Sequence, residues 1–472
     1  MCVQKTEEGQ PRSIPRLSPP RLSTPRLRAA WPGTSWPSAA WQSPLTWSRY
    51  WLAGIYAGSA VYAVTFGFLS SDWVHKLWGI MATCGYLVAA LLAVALRGRK
   101  SRLAVDLPLA ASFLGTLLIP LLVMTGRNMG KPEVDVVVHS AWLLIHHGTP
   151  YQSMAALAYT TNPDAYNPYL PVMALFGLPR AIFGGGMLTD PRIWFGICFL
   201  AVFSWALRAG GAKDIWRWTI FVMGSPIVAL ELAVGGTDVP MVAFLCLGFG
   251  LLAKGLADAR RPGIGPPEAP GRRPLGRALI AAGVALGIAA AMKATAWPGL
   301  AVAIVLLVAT AGWRVALRFT VVAVAVTAVC VGPFLVHPKG LVVNTIEFPL
   351  GLANVRSAAA SPLPGHLLSD AGKAGHTIAV ALLVLAGVAV VLILLTRPPR
   401  SVPRAVFLLV WAMSLMFLLA PSTRFGYFIY PGTLALWLLA VLAGRNAGVP
   451  PDVRRRRASR SGSPSTTMSR LQ

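Results

Sequence analysis

Apolar runs of roughly 17–25 residues, the length needed to cross a bilayer as a helix, recur along nearly the whole chain, separated by short polar punctuation. We place them near 48–70, 76–96, 104–124, 192–208, 217–233, 237–254, 278–294, 296–311, 315–336, 376–396, 404–420 and 425–443. The pattern predicts an all-α polytopic bundle of about twelve transmembrane helices. One apolar segment, 168–186, fits this alternation poorly, because Pro168, Pro171, Pro179 and three successive glycines break it. Counted as a crossing, it would move the basic loop 254–277 to the opposite side from every other basic loop. A re-entrant or interfacial helix, buried against protein or a cavity, is the better expectation.

Charge sharpens the topology. Clusters at Arg97–Lys100, Arg208–Arg217, Lys254–Arg277, Arg314–Arg318 and Arg397–Arg404 all fall on one side of the predicted bundle. Positive residues accumulate on cytoplasmic loops, so both termini are expected in the cytoplasm. The outer loops are then 125–170 and 337–375. Residues 1–46 and 445–472 are rich in Arg, Pro and Ser without apolar period, which predicts disordered basic tails flanking a membrane domain over 47–444.

Composition narrows the class. The chain of 472 residues is 55% hydrophobic and 12% charged, with a mean hydropathy of +0.62, outside the range of soluble domains. A net charge of +26 invites a nucleic-acid reading, but scattered loop clusters are how a polytopic protein carries its positive charge, so no nucleic-acid partner is expected. Five cysteines show no CxxC or Cys/His spacing, and no Walker, GxSxG or HExxH motif occurs. The residues therefore call for neither a metal nor a cofactor.

The polar residues collect in the outer elements. Val134 to His147 predicts a helix stopped by Gly148, too short to span and expected to lie on the outer surface. On a 3.6-residue period Asp135, His139, Trp142 and His146 share one stripe. Glu231, Asp238, Lys293 and Arg424 sit at the outer ends of four separate spans, at the depth of Asp135. Ionisable residues in spans are costly and mark function by default, so they predict a polar pocket open to the outside. The second loop carries Arg356, His366 and other polar groups beside a Pro/Gly-restricted turn, a composition suited to binding phosphate.

Several short motifs resemble glycosyltransferase family 87. They are the Asp135 loop, the Gly148-Thr-Pro-Tyr151 turn, Tyr166-Asn167-Pro-Tyr-Leu-Pro171, Ser225-Pro226 followed by Gly235-Gly-Thr-Asp238, and Gly287 to Lys293 followed by Trp297-Pro298. The resemblance runs from about residue 104 to 443. It implies a GT-C-like bundle with outer juxtamembrane helices in a bacterial cytoplasmic membrane. It also implies transfer of a sugar, mannose or another hexose or pentose, from a polyprenyl-phosphate donor to a lipid or glycan acceptor. Asp135 matches the general base and Lys293 lies near the family's basic residue, while Tyr166, Asn167 and Asp238 fall in matching motifs on the donor side. Arg356, Arg424 and His366 are further candidates for the donor phosphate. In the family the Asp loop usually follows the first span, whereas here two spans precede the equivalent one; and Gly235-Gly-Thr-Asp238 replaces the usual Gly-Gln-x-Asn, which bears on specificity. The alternative class is a transporter or flippase of an amphipathic solute, which would need polar groups at mid-membrane and internal repeats.

The topology has a direct test. Single cysteines introduced at positions 160 and 265 and labelled from outside intact cells should react at 160 only; labelling at 265 but not at 160 contradicts the arrangement.

Overall fold

The computed structural model describes residues 49–99, 101–260, 276–336, 338–349, 353, 355 and 359–446. Most of both expected tails, most of loop 254–277, and Arg356 lie outside the described residues. Among the described residues, ten helices are long and apolar enough to cross a membrane, and a bent pair makes an eleventh candidate. The chain is an all-α polytopic membrane protein.

The helices used below are α1 (Arg49–Leu69), α2 (Trp73–Ala95), α3 (Leu103–Gly126), α4 (Pro132–His147), α5 (Pro171–Phe183) and α6 (Pro191–Gly210). They continue with α7 (Ile215–Met223), α8 (Pro226–Val234), α9 (Asp238–Arg260), α10 (Arg277–Met292), α11 (Trp297–Ala311) and α12 (Trp313–Val331). A short α13 (Pro364–Asp370) precedes α14 (Lys373–Thr396), α15 (Val402–Leu419) and α16 (Ile429–Asn446). Expected and observed spans agree within a few residues, with two corrections. The span expected over 278–294 is α10, a 16-residue helix shorter than the ten candidate crossings. The segment expected as a single span over 217–233 is the broken pair α7–α8, bent by 62°. Pro226 has no N–H to continue the helix and its ring crowds the preceding turn.

A break inside an apolar bundle needs partners for the freed backbone groups. The hydroxyls of Tyr86, Ser112 and Thr116 supply them, donating to the Gly224 carbonyl at 2.9, 3.1 and 3.3 Å. The break is thereby tied to α2 and α3.

The α9 helix is the axis of the bundle: 89% of its apolar window is buried, and α6, α10 and α16 pack on it. By contrast, α14 buries 11% of its window, as a helix facing lipid would. Helices meet closely where both carry small residues, because lipid offers no hydrophobic drive and dispersion must hold them. At the crossing of α2 and α3, a Cβ on Gly115 would lie 2.5 Å from the Gly85 Cα. The doubtful segment is the short α5, which packs along α4. There the Gly177 backbone lies so close to the Val137 carbonyl and Ala141 that no side chain fits.

Overpacking the α2–α3 crossing should cost roughly 1–3 kcal/mol. Gly85→Val and Gly115→Val are expected to lower the melting temperature in detergent, whereas Gly58→Ala, which meets nothing within 4 Å, should leave it unchanged.

Candidate functional site

The first outer-loop helix is anchored before it begins. Arg192, 1% exposed, grips Asp190 through Nε and Nη2 at 2.9 and 2.8 Å. Its Nη1 donates to the Met129 and Ala233 carbonyls at 2.6 and 3.0 Å. Four of its five N–H groups are thus used, two on Asp190 and two holding the 128–131 turn against the end of α8, and the Lys131 amide adds a bond to the Val234 carbonyl at 2.8 Å. Satisfied in this way, a buried ion pair is a rigid fixture. The α4 helix then runs to His147, where Gly148 at φ +68° ends it in the left-handed conformation that favours glycine.

The predicted stripe on α4 is its exposed face: Asp135, His139, Trp142 and His146 are all exposed, while Val134, Val137 and Ala141 are buried. The Trp142 and His146 rings stack at 4.3 Å. Beside the stripe lies a shallow cleft lined in part by Val136, His139, Gln152 and Asp164, with His139 Nε2 and Gln152 Nε2 2.9 Å apart. Asp164 comes from the 3₁₀ turn Pro163–Ala165. Partial burial, and then the nearby Asp135 carboxylate, push its pKa above the ordinary range. The structure therefore brings together two acids 29 positions apart. Among the described residues neither carboxylate has an ion-pair partner.

At the same end of the bundle, three interruptions of the helices converge. Asp238 opens α9, Lys293 sits in extended conformation after α10, and Tyr430 lies in the first turn of α16. The Lys293 ammonium donates to Asp238 and, at 3.2 Å, to the Thr237 hydroxyl, and stands 4.7 Å from the centroid of the Tyr169 ring. The Tyr430 hydroxyl donates to the same Asp238 oxygen and is 2.9 Å from the Thr295 hydroxyl. Asp238 is 5% exposed, and burying a carboxylate is tolerable only with such partners. Above it the Glu231 carboxylate is wedged between Gly236 and Gly426, where a Cβ on either glycine would strike it.

The expected site residues distribute as follows. Lys293 and Asp238 form one ion pair. Arg424 pairs with Glu133, not with Asp135, because residues two apart on a helix point to different sides. His366 is engaged locally, its Nδ1 donating to the Pro421 carbonyl at 2.8 Å and its Nε2 lying 3.2 Å from Asp370. It thus braces the 421–424 segment, whose Thr423 pairs with Ala360 in an isolated parallel bridge. Tyr166 is 2% exposed and stacks on Phe348 at 4.6 Å. Asn167 is 6% exposed; its side chain donates to the Pro150 carbonyl at 3.1 Å and accepts from the Tyr169 amide at 3.1 Å. Both hold the loop together from within. Glu133, Lys131, Asp164 and Tyr430 escaped the sequence reading. Only the Glu133-Val-Asp135 doublet and the Lys131 beside it carried a local signal.

The site is thus a polar end of an apolar bundle, with Asp135 exposed on a fixed helix, Asp164 on a nearby turn, and half-buried cations in Lys293 and Arg424. The family model of glycosyltransferase family 87 matches residues 167–421, more than half of the 472-residue chain, and the chain belongs to that family. It is a membrane glycosyltransferase. No curated protein and no solved structure matches it.

The Asp238–Lys293 pair has a measurable signature. Breaking a buried pair from one side costs about 3–5 kcal/mol, so Asp238→Asn and Lys293→Met should each lower the melting temperature in detergent. Combined, they should cost clearly less than the two effects added, because the second change removes a charge already unpaired. Strict additivity would mean that the two side chains do not share one interaction.

Proposed function

We propose that the protein transfers a sugar from a polyprenyl-phosphate donor to a lipid or glycan acceptor at the outer face of a bacterial cytoplasmic membrane, with Asp135 as general base. The observation that carries this reading is the exposed Asp135–Asp164 pair beside a cation-bearing end of the bundle, in a chain of glycosyltransferase family 87. Membership supports sugar transfer. The GT-C-like architecture and the donor class rest on the family resemblance and on the site's chemistry.

The reaction asks for few parts. An acceptor hydroxyl attacks the anomeric carbon, forming the new C–O bond, and its proton passes to the Asp135 carboxylate. The bond from the anomeric carbon to the phosphate oxygen breaks, and its electron pair leaves with the polyprenyl phosphate. One base and one direct displacement invert the anomeric centre. Asp164, whose pKa partial burial and the nearby Asp135 carboxylate raise, lies where its carboxyl group can hydrogen-bond a sugar hydroxyl while Asp135 takes the proton.

The negative charge developing on the leaving phosphate needs cations already oriented toward it. Arg424 and Lys293 are proposed for this, held in place by Glu133 and Asp238; Arg356, outside the described residues, and His366 are further candidates by sequence. Tyr166 and Asn167 shape the wall of the donor site through the Tyr169 segment. Lys293 lies over the Tyr169 ring, so that segment and the cation move together.

Asp135→Asn keeps size and polarity and removes the proton acceptor. Transfer of radiolabelled sugar from polyprenyl phosphate to membrane acceptors should fall by roughly 10²–10⁴-fold. Protein level and donor binding should barely change, because an exposed loop acid contributes little to the fold. Full activity in Asp135→Asn removes the base assignment; full activity in Asp164→Asn as well contradicts this site as the place of transfer.

A further inference from the structure

A lipid-linked phosphate needs positive charge that the protein has not already neutralised. Lys293 does not meet that need by itself, since Asp238, Thr237 and the Tyr169 ring surround its ammonium. Arg424 is half-committed, because one oxygen of Glu133 takes its guanidinium while the other, Oε2, is buried without a partner. Lys131 is different. It is half-buried, and among the described residues its ammonium makes no salt bridge and no hydrogen bond.

Its position is nonetheless fixed. The Lys131 amide is bonded to the Val234 carbonyl, and the backbone of Gly235 passes so near that a Cβ there would stand 3.7 Å from the Lys131 nitrogen. The preceding Gly130 packs on the Arg192 guanidinium. Two residues on, Glu133 holds Arg424. The Glu231 carboxylate, between Gly236 and Gly426, closes the other side. Segments 128–133, 231–236 and 424–427 therefore meet at the Lys131 backbone, and its ammonium feels the charges of Glu231, Arg424 and Asp72.

We propose that Lys131 binds the phosphate of the lipid-linked donor, clamping it together with the Arg424 guanidinium at the start of α4. The inference rests on the donor reading above and supplies it with a residue that no motif indicated. Lys gives a mobile point charge and Arg a planar fork, a complementary pair for one phosphate. Arg424 meets Glu133 through Nη1, which leaves the rest of its fork for the phosphate. Burial lowers the Lys131 pKa, Glu231 raises it and Arg424 lowers it again. An incoming phosphate relieves both the desolvation and the repulsion, which is a gain that an already paired lysine lacks. The N-terminus of α4 adds its positive dipole end on the same side.

The test uses the full chain in lipid nanodiscs and two probes, a polyprenyl phosphate without sugar and inorganic phosphate. Lys131→Gln should weaken binding of polyprenyl phosphate at least about tenfold, the loss of one charge-assisted hydrogen bond. Lys76→Gln, at an exposed lysine on α2, should bind as the parent does. Matched melting temperatures establish that each variant is folded, and Lys131→Met replaces the Gln variant if that one is not. Unchanged affinity in a folded Lys131 variant overturns the assignment and leaves the donor reading standing. If the parent chain binds inorganic phosphate as tightly as the lipid, or binds neither, the donor reading falls and the clamp with it.

Discussion

The polar end of this bundle depends on a carboxylate that has almost no water. Asp238 opens the central helix α9 and is nearly buried, so it must be matched by donors from elsewhere. Lys293 and Tyr430 supply them from two other chain interruptions. Each interruption would be expensive in lipid if left open; joined, they make a rigid floor. A polytopic protein can keep charged groups near the bilayer only in such mutual arrangements, and here that requirement places a reactive surface at one end of the helices.

The working side chains stand on this floor by two further devices. The Arg192–Asp190 pair clamps the turn before α4 to the end of α8, so Glu133 and Asp135 project from a fixed helix rather than a free loop. The helix then sorts them: Glu133 turns inward to Arg424, and Asp135 turns to the exposed face near Asp164. Glu133 holds a cation, and Asp135 is free for the role of base proposed above. Preorganisation of this kind lets a displacement proceed without rearranging charges at the moment of reaction.

Much of the fold was legible because the bilayer imposes a length and a polarity on every span. Even the shortness of α5 was visible, from its prolines and glycines. The bend at Ser225-Pro226 was not, because proline marks a possible break while its angle depends on which hydroxyls reach Gly224. The site was legible by depth and not by pairing. Asp238, Lys293 and Arg424 were singled out as ionisable groups at span ends, but nothing local tells that Lys293 meets Asp238 while Arg424 meets Glu133. Tyr430 read as an ordinary apolar position. Asp164 gained its meaning only when the chain folded it beside Asp135. Tyr166 and Asn167 stood out by motif, and the structure turns both inward, toward Phe348 and the Pro150 carbonyl.

The central claim is that one end of the bundle holds donor phosphate, base and acceptor together. The most direct measurement is a cryo-electron microscopy structure of the protein in nanodiscs with an unreactive analogue of a polyprenyl-phosphate sugar. The account predicts the phosphate between Lys131 and Arg424, with the anomeric carbon facing the groove beside Asp135 and room there for an acceptor oxygen at about 3–3.5 Å from both. A phosphate held at the opposite end of the bundle, where Arg217 pairs with Asp106, would contradict it.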